Sequence, residues 1–237
     1  MAFNELLADL VAWAQEQLHG WANNLKPDER EAAGRPDAWA ARDLLIHFAE
    51  WGQVSREQLV AGVEGRELPA LPSDDEINQV FFERNRGLSW AEAIGKFDAA
   101  YDALRAQLMV MTDESLTRTN PPDGGRPVWW DISFGTVDHL ARHLAENHMI
   151  RGEREAADAL MLAGSERLAA LDQSPRYSGL IRYNLACHHA LQGRRDQALA
   201  TLAEALTIRP DTAEYAGQDP DLTSLYDDPA FLALIQK

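Results

Sequence analysis

Four long segments in the first two thirds of this 237-residue chain place apolar side chains at the spacing of one helix face. They run from about Phe3 to Leu25, Asp37 to Ala61, Ser73 to Met111 and Thr136 to Ala157, and no stretch between them alternates as a strand does. Helices of this length bury their apolar faces best against one another. The sequence therefore predicts an all-α fold that begins with a four-helix bundle with crossover connections.

Capping residues indicate where these helices begin. Asp37 follows a proline and is a candidate N-cap, and either Ser73 or Asp74 is a candidate N-cap for the third segment. Ser89 and Glu92 form a capping box, S-W-A-E, inside that segment. The third segment is thus either one helix kinked at Gly87 or two helices in sequence.

The stretch from Thr112 to Phe134 is the least helical part of this region. It contains TNPPDGGRPVWWD, and a loop of this length in a compact domain is usually functional or disordered. Two adjacent tryptophans argue against disorder. Trp129 and Trp130 either line the mouth of a substrate site or close one end of the bundle.

The last third of the chain predicts a second domain. From about Ser165 it is rich in Ala and Leu, and GLIRYNLACHHALQGRRDQALATLAEALTIRPD fits a tetratricopeptide-type repeat (TPR). The repeat positions are filled by Gly193, Ala198, Leu202, Ala205 and Pro210. We therefore predict a bundle over 1–160 and a TPR-like helical hairpin with a capping helix over 161–237. A single repeat cannot bury both its faces, so we expect it to pack against the bundle or against another chain.

Three histidines point to metal chemistry. His139 and His143 are four residues apart on one predicted helix, so both imidazoles share a face. His47 lies on an earlier helix of similar character. Three neutral imidazoles leave coordination positions open for water or substrate, as in catalytic zinc sites. If they share an ion, their nitrogens should lie about 3 to 4 Å apart.

Other interpretations of these histidines stay open. His47 alone could be a core histidine hydrogen-bonded to a neighbour. His143 could pair with Asn147, leaving His139 to bond a carbonyl, although Asn is a poor ligand for a transition metal. His148 is five residues beyond His143 and should point away from it, yet it remains a candidate for the last ligand.

Two carboxylates are candidate catalytic residues beside this site. Asp43 precedes His47 by four residues and Glu146 follows His143 by three, which places each near a proposed ligand. Either could orient an imidazole or transfer a proton. The plainer interpretation is a solvated helix face or an ordinary salt bridge. Cys187, in an apolar helix, is interpreted as a buried, inert thiol, and His189 as a packing residue.

Composition excludes several partners. The net charge is −16, which repels phosphate backbones, so we expect no nucleic-acid partner. No stretch approaches the roughly 20 apolar residues that span a bilayer, so we expect no membrane insertion. A single cysteine permits no internal disulfide, and we expect a cytoplasmic protein.

The motifs DAWAARDLLIHFAEW and GTVDHLARHLAENH resemble the DinB/YfiT-like superfamily over about residues 1–160. LPSDDEINQVFFERNRGLSWAEAIGKFDAAYDAL also resembles its ClbS/DfsB branch. The resemblance implies a divalent metal, zinc or nickel among others, held by His47, His139 and His143. It also implies a stress-response protein, frequently dimeric, that is a hydrolase or a transferase using a thiol of the bacillithiol or mycothiol type.

We therefore expect a metal-dependent enzyme that acts on a small electrophilic molecule. The alternative from another class is a ClbS-like protein that protects the cell by binding a reactive small molecule without a catalytic metal. A third hypothesis is a scaffold whose TPR-like tail recruits a protein partner.

Overall fold

The fold is all-α, as the helical periodicity predicts. We describe it from a computed structural model that covers residues 1–35, 39–67, 70–120 and 125–236. Contacts between residues divide the chain into two compact units, Met1–Leu140 and Ala141–Lys237. Within the residues described, no helix combines the length and the apolar character that crossing a bilayer requires.

The first unit consists of long helices with short helical turns between them. Its elements are α1 (Phe3–Asn23), α2 (Pro27–Glu31), α3 (Ala41–Glu64), α4 (Asp74–Asn85), α5 (Trp90–Met109), α6 (Asp113–Thr117), β1 (Thr119–Asn120), β2 (Arg126–Pro127), α7 (Trp130–Ile132), a π-helix (Ser133–Asp138) and the start of α8 (His139–Ile150). The two short strands pair antiparallel, with Thr119 opposite Pro127.

Helix α3 lies at the centre of this unit. It packs against α4, α5, α7 and the π-helix, while α1 packs against α5 and the π-helix. Leu7, Leu45, Phe97 and Leu104 are each 0% exposed, so their side chains form a closed core between α1, α3 and α5. Burial of such side chains stabilises each by about 1.5–3 kcal/mol, which is what holds the helices together.

Capping boxes form the starts of α4 and α5; the one at Ser89 was predicted as such, and Ser73 was predicted as a candidate N-cap. The Ser73 hydroxyl accepts from the Glu76 N–H, and the Ser89 hydroxyl accepts from the Glu92 N–H. Each glutamate in turn accepts from the backbone N–H of its serine, at 3.1 and 2.8 Å. Because the second box starts a new helix, the region is two helices rather than one kinked helix.

Two predicted helix boundaries were wrong. Helix α3 begins at Ala41 instead of Asp37, a residue outside the described part of the chain. The predicted helix from Thr136 to Ala157 ends at Ile150, because Gly152 adopts a left-handed conformation with φ 77°. The N–H of Glu153 then donates to the His148 carbonyl at 2.8 Å, which closes the helix end.

The second unit continues from α8 as a series of helices. They are α9 (Arg154–Ala169), α10 (Pro175–Leu191), α11 (Arg195–Ile208), a 3₁₀ helix (Pro210–Thr212), α12 (Ala213–Ala216), a 3₁₀ helix (Pro220–Leu225) and α13 (Pro229–Ile235). Helices α10 and α11 pack together across a turn at Gly193, whose φ is 70°. Its left-handed conformation is one that glycine adopts without a Cβ clash.

Small residues allow α10 and α11 to approach closely. Ala198, Leu202 and Ala205, the positions that the repeat pattern assigns to packing, are all 0% exposed. The assignment to the TPR class and the domain boundary near residue 160 stay predictions.

Two polar side chains of this unit are buried near one another. Cys187 is 5% exposed, and its Sγ lies 3.8 Å from the Asp219 carboxylate. Burial, together with this carboxylate, raises the pKa of the Cys187 thiol. The thiol is therefore protonated and shielded, as the interpretation of an inert cysteine predicts.

Acidification should destabilise the second unit. Burial lowers the pKa of His188 and of His189 below 6.5, so the folded unit binds fewer protons than the unfolded chain as the pH falls. Its free energy of unfolding should decrease from about pH 7 downward, by up to about 1.4 kcal/mol per pH unit for each histidine. His189→Phe should reduce this slope, as measured by urea unfolding at pH 8 and 5.5 with far-UV circular dichroism.

Tryptophan fluorescence supplies the internal control for this experiment. All seven tryptophans lie in the first unit, so their signal should respond equally to pH in the wild type and in His189→Phe. An unchanged pH slope of the circular dichroism signal in the variant would show that His189 titrates normally in the folded protein.

Candidate metal centre

His47 lies on α3 within a shell of aromatic rings. Its side chain is buried, and the Trp39 ring centroid is 4.3 Å from that of the imidazole. Phe48 and Trp51 contribute further rings at 5.6 and 6.3 Å. These rings restrict both the rotation of the imidazole and its access to water.

His139 begins α8, immediately after the π-helix. Its Nδ1 lies 3.3 Å from the Gly135 carbonyl oxygen. Because a carbonyl can only accept, this contact requires the proton on Nδ1 and leaves the Nε2 lone pair of neutral His139 available. Such a hydrogen bond to the far nitrogen is how proteins orient a metal-binding imidazole.

The two imidazoles meet through their outer nitrogens. Nε2 of His47 is 2.9 Å from Nε2 of His139, although 92 residues separate them in sequence. That distance is just below the 3 to 4 Å expected for two ligands of one ion. Two ring nitrogens facing one another suit either one N–H···N hydrogen bond or a shared cation.

Gly135 allows the π-helix to come close to α3. A Cβ at this position would lie 3.3 Å from the Ser55 hydroxyl oxygen, which is tighter than an ordinary contact. The glycine thus lets the helix that precedes His139 approach the helix that carries His47. Wide π-turns are rare and frequently accompany functional sites, which is consistent with this position.

His143 completes the group. It lies one turn beyond His139 on the same continuous helix, so its position relative to His139 is fixed by four residues of α8. One ring nitrogen from each of His47, His139 and His143 lies within 4.8 Å of the others. An ion with bonds of about 2.1 Å spans ligands up to about 4.2 Å apart, so small side-chain rotations suffice to bind it. The donor set therefore fits a divalent transition metal.

His148 takes part in a different interaction. Its Nδ1 is 2.7 Å from a Glu153 carboxylate oxygen, and Arg151 bonds the other oxygen of that carboxylate at 2.9 Å. This arrangement lies at the C-terminal end of α8. Of the open choices for the last ligand, the structure brings His139 and His143 together with His47.

The two predicted catalytic carboxylates have different surroundings. Asp43 is 4% exposed and accepts from the Ala40 N–H at 2.9 Å, and burial raises its pKa. Glu146 is exposed, and one of its oxygens lies 3.6 Å from Nδ1 of His143; the interaction with this imidazole lowers the pKa of Glu146. Asp43 thus stabilises the start of α3 and Glu146 contacts a proposed ligand, while their catalytic roles stay predictions.

A small cavity adjoins His47 on the first unit. It has a volume of about 10 Å³ and is walled by Trp39, Asp43, Asn78 and Phe81. A volume of that size holds about one water molecule. The space that His47 and Asp43 line therefore has room for about one water molecule.

Comparison with known families agrees with this geometry. The family model of the DinB superfamily matches residues 10–147. The chain belongs to the DinB superfamily. The matched range contains all three histidines and ends inside α8, so the candidate ligands lie in the DinB part of the chain. Searches of curated proteins and of solved structures found no match.

The adjacent tryptophans of this DinB-superfamily chain are part of the core. Trp129 and Trp130 are each 3% exposed. The Trp129 ring packs edge-on against Phe3 at 5.3 Å, and the Trp130 ring against Phe134 at 5.9 Å. Of the two interpretations, closing one end of the bundle fits this burial better than lining an open mouth.

Sequence reasoning missed Glu50, one turn after His47 on α3. It is 2% exposed, and its carboxylate accepts from Arg84, from Asn85 at 2.8 Å and from Lys96 at 3.1 Å. A buried carboxylate needs partners of this kind. The network joins α3 to α4 and α5, so Glu50 is a positioning residue for the helix that carries His47. No local pattern marks it, because its partners lie 34 to 46 residues away.

Replacing Glu50 should destabilise the DinB bundle. Glu50→Gln leaves Lys96 and Arg84 without their anionic partner, and we expect a loss of about 1–3 kcal/mol in the free energy of unfolding. Glu83→Gln is the matched control, since Glu83 pairs with Arg86 at the exposed surface and should cost less than about 0.5 kcal/mol. Urea unfolding followed by tryptophan fluorescence measures both, and equal losses would contradict the role of Glu50.

Proposed function

We propose that this DinB-superfamily protein is a metal-dependent enzyme that acts on a small electrophilic molecule. One observation carries the proposal: His47, His139 and His143 each place a ring nitrogen within 4.8 Å of the other two. Zinc and nickel suit an all-imidazole donor set. Three protein ligands also leave positions for a substrate, as a structural site with four ligands does not.

The bound metal would supply Lewis acidity, polarising an electrophile or lowering the pKa of a coordinated water or thiol. The protein's own residues prepare the site. Trp39 and Trp51 exclude bulk water from His47, which strengthens electrostatic interactions there. The Gly135 carbonyl holds the Nδ1–H tautomer of His139. We further propose that the carboxylate of Glu146 or of Asp43 accepts a proton during the reaction.

Two reaction types fit this arrangement. Hydrolysis needs only water beside the metal, and the cavity next to His47 is large enough for one molecule. Transfer from a thiol of the bacillithiol or mycothiol type would need an external cofactor, because the only cysteine of the chain is buried. The resemblance to stress-response members and to dimeric members supports a protective role and a homodimer as further parts of this proposal.

A ClbS/DfsB-like binding function without a catalytic metal is the second candidate. The aromatic shell around His47 supports it, since aromatic rings bind apolar molecules well. The small volume beside His47 argues against it. A TPR-like tail that packs or recruits a protein partner is compatible with either function.

Metal content tests the proposal directly. Protein purified without chelators should contain about one equivalent of zinc or nickel per chain by plasma mass spectrometry. His47→Ala removes one of three ligands and should lower the bound metal about 10-fold or more. His19→Ala is the matched control, because His19 pairs with Asp98 on α1 and α5 and lies outside the group.

Two results would contradict the proposal. The first is metal content that stays the same in His47→Ala as in the wild type. The second is protein that binds neither zinc nor nickel after dialysis against either ion, with circular dichroism showing an intact fold.

A further inference from the structure

A larger cavity lies inside the second unit. It has a volume of about 320 Å³ and is enclosed by α8, α9, α10 and the 3₁₀ helix Pro220–Leu225. Ligand pockets begin at about this volume, which suits a molecule of modest size. The cavity is distinct from the small space beside His47, and its walls include residues that lie beyond the range matched by the DinB superfamily.

Part of the cavity lining is apolar. Met149 and Met161 line it, and Ile150 and Leu191 stand at its rim with 77% and 63% of their surfaces exposed. Methionine side chains adapt to ligands of different shape. Large exposed aliphatic side chains around a cavity indicate a surface that a ligand can cover.

The remaining walls carry an excess of negative charge. The carboxylates of Glu146 and Asp221 line the cavity, opposed by the single guanidinium of Arg142. The other titratable groups on the walls are His143, His188 and Cys187. Two carboxylates against one fixed cation favour a ligand that brings a positive charge of its own.

Cys187, Asp219 and Asp221 lie close enough together to hold a metal ion, but the contacts of Asp219 argue against a metal site here. One oxygen of Asp219 accepts from the Tyr183 hydroxyl at 2.8 Å, and the other accepts from the Asp221 N–H at 3.0 Å. Asp219 is thus engaged in starting the 3₁₀ helix and anchoring it to α10. The Asp221 carboxylate, in contrast, lies on the cavity wall.

We propose that this cavity binds a small organic amine, with its apolar chain against Met149 and Met161 and its ammonium group facing Glu146 and Asp221. This binding site does not depend on the proposed function.

Calorimetric titration of the full chain with hexylamine, hexanol and hexanoate tests the site. These probes share an apolar chain and differ in the charge of the head. Hexylamine should bind about tenfold more tightly than hexanol, and hexanoate more weakly still. Asp221→Asn and Glu146→Gln should each weaken hexylamine binding by about fivefold and leave hexanol binding unchanged.

A charge placed at the rim provides a second test. Leu191→Lys introduces a cation at the mouth and should weaken hexylamine binding by about tenfold or more. Leu162→Lys is the matched control, because Leu162 is exposed on α9 and does not line the cavity, so binding should be retained. Both sites are on the surface, and thermal melting confirms that each variant is folded.

Each outcome distinguishes the two proposals. Metal binding without hexylamine binding overturns the cavity proposal alone. The same holds if hexanoate binds as tightly as hexylamine, or if Leu191→Lys and Leu162→Lys bind hexylamine equally well. Hexylamine binding by a protein that holds no metal supports the cavity and overturns the metal centre. His47→Ala should lose the metal and still bind hexylamine.

Discussion

The contact between α3 and the π-helix is the constraint on which the candidate site depends. It brings Nε2 of His47 within 2.9 Å of Nε2 of His139, and glycine at position 135 keeps the two helices close. The same short segment supplies the carbonyl that orients His139. One packing interaction thus sets the distance between the ligands and the tautomer of one of them.

Helix α3 itself is held from its other side. The buried carboxylate of Glu50 draws cationic and amide groups from α4 and α5 onto the helix that carries His47. The rings of Trp39 and Trp51 pack around His47 of this helix. Apolar packing, a buried ion network and the histidine pair therefore restrain the same helix in three different ways, which is what a site with defined ligand geometry requires.

Local signals in the sequence predicted much of the first unit. Ser73 was predicted as a candidate N-cap of α4 and Ser89 with Glu92 as the capping box of α5, because such caps form within four residues. His139 and His143 were placed on one helix face because a spacing of four residues is about one helical turn. The π-helix and the Glu50 network could not be read in this way, since both depend on partners that are distant in sequence. The end of α8 at Gly152 was missed although the glycine is visible, because a helical pattern continues on both sides of it.

The single thiol of the chain is an internal reporter of the second unit. Cys187 is buried and protonated in the folded state, so a thiol-specific reagent too bulky for the cavity that Cys187 lines can reach it only when the second unit opens. The rate of its alkylation therefore measures opening of that unit alone, while the seven tryptophans follow the other. With these two natural probes, one can measure whether the first and second units unfold together or separately, without introducing any label.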